Sequence, residues 1–261
     1  MNLLKSEFLK LVYQRRTYGV LLAAIGISVL STAFTPYALS RIEAMGMPLG
    51  DAAVVDSVYS KALAGYMFAL ILGVLIMSSE FQNHTAIATF LATPKRFEVL
   101  ISKIGIAAIA GAIVNVIATS VGLASGAIAL SLFKHVATPH SYIWADYLAS
   151  AALTGAVLAV MGVSIGTLIR NQNLAVSVAM IWIFVVDRIL AVIWTEVGKY
   201  LPTGLITAMM NLHIDVKVKA IGFNINTGDY LDPWPAAGLL LLYGVLFAVV
   251  SVATSLRRDI D

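Results

Sequence analysis

Few side chains in this 261-residue sequence are equipped for chemistry, and their spacing does not suit it. There is no cysteine, which excludes disulfides, thiolate metal ligands and thiol nucleophiles. Glu80 and His84 stand four apart, a helical spacing, but a metal site needs more ligands than that pair. His135, His140 and His213 fall in other segments, and no HExxH pattern occurs. The nearest approach to a phosphate-binding loop is Gly162-Val-Ser-Ile-Gly166-Thr167, whose spacing is wrong and which lacks the lysine. No Ser–His or carboxylate–His set converges for hydrolysis inside the apolar segments. The chain is therefore expected to be no enzyme and to bind no metal or cofactor itself. What remains is one charged pair inside apolar text, Asp187-Arg188, the intramembrane charged candidates.

The elements that carry these residues follow from composition. The chain is 60% hydrophobic and 12% charged, with a mean hydropathy of +0.90, whereas soluble domains carry about 25% charge. It is expected to be a membrane protein. The net charge of +3 gives no case for nucleic acid. A helix needs about 20 apolar residues to cross about 30 Å of hydrocarbon. Uncharged runs at 17–40, 62–79, 104–133, 147–169 and 233–256 supply five spans. Between Arg170 and Asp187 only Leu174 to Val186 is fully apolar, about 20 Å of helix at 1.5 Å per residue. Either the helix carries Asp187-Arg188 through the outer part of the membrane, or the segment dives in and turns back. Alternatively the span ends near Val186, with both charges in an outer vestibule.

Loop charge favours a sixth crossing. With the N-terminus inside, Lys5, Lys10, Arg15, Arg16, Lys95, Arg96, Lys103, Arg170, Arg257 and Arg258 fall on the inner side, ten against six outside. The expectation is a plasma-membrane protein with both termini cytoplasmic. Trp144, Trp194 and Trp234 all fall at outer ends of spans, as in an aromatic belt.

Other stretches read as follows. Residues 1–16 read as an amphipathic interfacial helix, with Leu4, Phe8 and Leu11 at helical spacing and a basic opposite side, the alternative being the frayed start of the first span. Residues 41–60, with Gly46, Pro48 and Gly50, read as an outer loop. In the outer segment 195–232, LPTGLITAMMNL is apolar but too short to cross, so it reads as re-entrant. Gly122/Gly126 and Gly162/Gly166 suit close packing of helices within the chain, and Asn115, Thr119 and Ser120 an interhelical hydrogen bond.

The loop between the second and third spans is not a slack connector. Asn83 can cap a short helix over Thr85–Ala92, and Pro94 ends it, because the residue before proline avoids helical angles. Thr93-Pro94 then opens the next helix. A helix over 83–93, lying across the cytoplasmic face with Ile87, Phe90 and Leu91 on it, either simply floats among the headgroups or passes motion to a docked protein.

The pattern Glu80, Thr85, Leu91, Pro94, Arg96, Leu100, Lys103 resembles the cytoplasmic loop of type-2 ABC transporter permeases. The chain departs from that loop at His84, where the family commonly has glycine, and at Phe81-Gln82, where a basic residue commonly follows the glutamate. The layout resembles that family throughout: one permease domain over 1–261, all-α, polytopic, with six transmembrane helices, an N-terminal interfacial helix, a coupling helix and a re-entrant segment. The resemblance implies the membrane subunit of an ATP-driven exporter, with ATP and Mg bound by a separate cytoplasmic ATP-binding subunit. It implies a second permease copy, identical or related, and outward movement of a drug, antimicrobial peptide or lipid. Glu80, Thr85, Ile87, Thr89, Phe90, Leu91, Pro94 and Arg96 would couple to the ATP-binding subunit. An ion-gradient-driven secondary transporter is the alternative.

Overall fold

A computed structural model describes residues 2–44, 51–82, 96–132, 141–169, 171–209 and 231–257. Those residues are helical almost throughout, and no strand occurs among them. Among the described residues six helices are long and apolar enough to cross a membrane: Arg15–Arg41, Ser57–Gln82, Glu98–Leu132, Trp144–Leu168, Gln172–Ala191 and Pro233–Ala253, here spans one to six. The chain is thus a multi-pass, all-helical membrane protein. Backbone N–H and C=O groups have no water to bond in hydrocarbon, and a helix satisfies them internally.

Two expectations about segment limits are corrected. The stretch 41–60 is not a loop throughout. The first helix runs to Ala44 and helix resumes at Asp51. DAAVVDSVYS contains no breaker, and it continues through a 3-10 turn at Lys61–Gly65 into the second span. The N-terminal helix covers Asn2–Tyr13 and breaks at Gln14, before the first span begins at Arg15.

The fourth span is the most enclosed, and the first, fifth and sixth are the least. It is held by small residues rather than by interlocking large ones. A Cβ on Gly111 would lie 2.3 Å from the Gly155 carbonyl oxygen, and one on Gly155 would meet the Gly111 carbonyl at the same distance. Gly73 is packed as tightly against Ala159, and Gly162 against Leu70. Without a hydrophobic drive between helices in lipid, such backbone contact supplies van der Waals packing. Gly122 and Gly126 face Ala62 and Val58 of the second span's helix, so both glycine pairs pack within the chain. Asn115 is fully buried and donates from Nδ2 to the Ala151 carbonyl at 2.9 Å, an interhelical bond.

Side-chain bonds join neighbouring helices: Thr32 to Ser125 at 2.6 Å, Ser164 to the Phe247 carbonyl at 2.7 Å, and Thr167 to Ser251 at 3.1 Å. The outward faces of the first, fifth and sixth spans carry Leu22, Phe34, Trp182, Ile189, Trp234 and Val249, all exposed. Such apolar faces suit hydrocarbon.

Candidate functional site

Glu80 ends the second span, Lys103 lies near the start of the third, and the loop between them connects the two. At this end the N-terminal helix brings in Glu7 and Lys10. Lys103 Nζ lies 2.7 Å from Glu7 Oε2 and 2.6 Å from Glu80 Oε1. Lys10 Nζ lies 2.7 Å from Glu7 Oε1 and 3.2 Å from Glu80 Oε1. The four charges sum to zero and form a closed ring of contacts across three helices.

Burial makes the ring consequential. The Lys103 side chain is 1% exposed and that of Glu7 6%, whereas Lys10 is 45% exposed. Ions removed from water cost several kcal/mol each, and only close opposite charges offset that. Burial by itself pushes the Glu7 carboxyl upward; the charge of Lys103 and the bonds from Lys10 and Lys103 override it, holding Glu7 below its ordinary value. For Lys10 burial pulls downward, but the bond to Glu7 and the charge of Glu80 prevail, and its ammonium is raised. The same end of the bundle carries Arg16, which donates to Gln172 Oε1 at 3.1 Å and so ties the starts of the first and fifth spans.

Of the loop residues expected to couple to a partner, the structure places Glu80 inside this ring and Arg96 at the first position of the third span's helix. Thr85, Ile87, Thr89, Phe90, Leu91 and Pro94, and the 83–93 helix itself, lie outside the described residues. Sequence reasoning passes over Glu7. Its signal was available: it is the one acid on an otherwise basic helix, three residues before Lys10.

The second cluster surrounds Asp187. The fifth span begins with Asn171 as N-cap, its side chain accepting from Leu174 N–H at 3.2 Å. The helix widens into a π-turn at Trp182–Val186, and the Asp187 N–H bonds the Trp182 carbonyl five residues back. Helix then continues over Asp187–Ile193. The helix thus carries both charges inside the fifth apolar run, and they diverge. Asp187 has no exposed surface, whereas Arg188 is exposed and interacts with Tyr66 of the second span. This is the splay of about 100° between successive helical residues.

The donor for Asp187 comes from a short helix, Pro202–Met209. Thr203 N–H bonds Asp187 Oδ2 at 3.2 Å. Leu201 occupies the N-cap position, its carbonyl accepting from Leu205 N–H, and has no side-chain oxygen to offer. Pro202 has no N–H, so Thr203 presents the first orphan donor of that helix. Asp187 therefore serves as the missing cap from sixteen residues away. Gly204 permits this turn, because a Cβ there would meet the Gly198 carbonyl at 2.1 Å. The other end of the short helix is held by Ser150, which donates to the Met209 carbonyl at 3.3 Å.

No group of three or more His, Asp or Glu able to hold a metal occurs among the described residues. No protein-family model matches the chain, and no curated protein matches it.

Proposed function

We propose that this chain is the permease subunit of an ATP-driven exporter of the type-2 ABC class, moved by a separate cytoplasmic ATP-binding subunit that grips the 83–93 segment. The observation that carries this reading is the charge ring. Glu80 and Lys103, the first and last residues of the pattern around that segment, meet at 2.6 Å. The ring joins both ends of the segment to the N-terminal helix, so a push on the segment is felt by three helices together. Glu80 then acts as the root of the coupling segment and not as its docking surface. In this reading the ring lies at the inner face, both termini are cytoplasmic, and the N-terminal helix rests in the headgroups. Pro202–Met209 re-enters the membrane from outside. Two permease copies form the pathway for a drug, antimicrobial peptide or lipid, and ATP and Mg stay on the partner.

One observation favours a second reading, an ion-gradient-driven transporter: Asp187 is a carboxylate wholly buried within an apolar span. Purification with a candidate ATP-binding subunit, followed by cargo-stimulated ATPase assay, separates the two. The exporter reading expects no hydrolysis from this chain alone and cargo-dependent hydrolysis from the pair. Robust ATPase activity of the isolated chain, or cargo movement that ignores ATP and follows an ion gradient, overturns it.

A further inference from the structure

Asp187 has two oxygens, and only one of them is hydrogen-bonded. Oδ2 accepts from Thr203 N–H, while Oδ1 is buried without a hydrogen-bond partner among the described residues. The side chain sits where three irregular features meet: the π-turn that ends at Val186, the helix start at Pro202, and the chain reversal near Gly198. A π-turn in a span is itself a common companion of functional positions.

The charged groups around it do not neutralise it fully. Arg188, on the same helix, is exposed and turned toward Tyr66 of the second span. Tyr66 is the titratable group that faces the pair from that span. The helix Pro202–Met209 carries no ionisable residue. On the intervening turn, Lys199 is ion-paired with Glu196. An ionised carboxylate shut away from water, with one oxygen bare, is costly. A proton on that oxygen removes the charge and leaves Oδ2 free to accept from Thr203.

We propose that Asp187 is a proton-binding site, with the bare Oδ1 as the atom that takes the proton and the fifth-span/short-helix joint as the element that responds. The ionised carboxylate holds the Thr203 N–H through a charge-assisted bond, about twice as strong as a neutral one. Protonation leaves only the weaker bond, and the start of Pro202–Met209 is released from the fifth span. Proton uptake and helix release are thus one event. The inference does not depend on the exporter reading, since it needs neither ATP nor a partner.

The test uses the full chain in detergent micelles or nanodiscs and a hydrophobic carbodiimide. A protonated carboxyl adds across one C=N bond: its oxygen bonds the central carbon, and its proton moves to nitrogen. The acyl group then shifts to nitrogen, leaving a stable N-acylurea that contains the whole reagent. Peptide mass spectrometry reads the adduct on Asp187. The expected result is an adduct several-fold more abundant in mildly acid than in mildly alkaline buffer, and none in Asp187→Asn. The amide of that variant can still accept from Thr203 N–H, so it should fold, with the protection of the 203–209 amides, taken relative to their intrinsic exchange rate at each pH, independent of pH. Wild-type protection there should fall several-fold on acidification. No adduct on Asp187 in acid buffer, or one equally abundant in both buffers, overturns the proposal. The wild-type labelling decides the matter even if Asp187→Asn does not fold.

Discussion

Replacing Lys103 with methionine keeps the length of the side chain and removes the fully buried one of the two cations that touch both carboxylates. Glu7 and Glu80 would then face each other with the half-exposed Lys10, 45% exposed, left between them. Removing one partner of a buried ion pair costs about 3–5 kcal/mol. Because Lys10 keeps its own contacts to both carboxylates, the lower figure applies, about 3 kcal/mol. At about 2–4 °C per kcal/mol for a chain of this size, the melting temperature should fall by about 6–12 °C. Lys10→Met removes a half-exposed charge and should cost at most about 1 kcal/mol. The triple variant Lys103→Met, Glu7→Gln, Glu80→Gln should recover most of the loss, since a buried ion network replaced by neutral groups of similar volume is often neutral. The assay is thermal unfolding of the four proteins in one detergent, followed by intrinsic fluorescence. Equal, small shifts for Lys103→Met and Lys10→Met would refute the reasoning. So would a triple variant no more stable than the single one, which would assign the loss to packing rather than to charge.

Two further outcomes follow from the same geometry. Glu7 is held below its ordinary value of 4.5, so the stability it supplies is full above that value and is lost as pH falls through its lower folded pKa. Lys10 is raised above 10.5, so its share is full below that value and is lost as pH rises through its higher folded pKa. Melting temperature against pH should therefore show a plateau with an acid limb that Glu7→Gln diminishes; an unchanged limb would assign acid unfolding elsewhere. Gly155→Ala should separate the third and fourth spans at a cost of about 1–3 kcal/mol. The control Gly19→Ala, where a Cβ meets nothing within 4 Å, should be neutral or gain up to about 1 kcal/mol, with denaturant titration comparing the two.

The six crossings were legible because charge is so costly in hydrocarbon that flanking Arg, Lys, Asp and Glu bracket each apolar run. Arg16 and Arg41 fall within a residue or so of the first span's limits. The fifth span defeated that rule. Its apolar text stops at Val186, yet the helix continues, with the buried Asp187 carboxylate accepting from Thr203 N–H. No spacing rule links positions sixteen apart across the chain reversal near Gly198. The stretch 51–60 departs from the loop reading for a different reason: Gly46, Pro48 and Gly50 punctuate only the residues before it, and DAAVVDSVYS holds no breaker. The charge ring was half legible. Glu80 and Lys103 were singled out by pattern, but their meeting through Glu7, 96 residues from Lys103, is a tertiary fact.

The helix that carries the third span is Arg96–Leu132, 37 residues without a proline. At 1.5 Å per residue it is about 55 Å long, well beyond the hydrocarbon thickness of about 30 Å. At Gly111, 15 residues from one end and 21 from the other, it meets the backbone of the fourth span at Gly155. A stiff beam resting on such a fulcrum behaves as a seesaw. Pulling at Lys103, 8 residues from Gly111, would swing the far tip, 21 residues away, the opposite way and about 2.6 times as far by the ratio of the two arms. Small displacements beside Lys103 would thereby reach the other surface enlarged and reversed in direction.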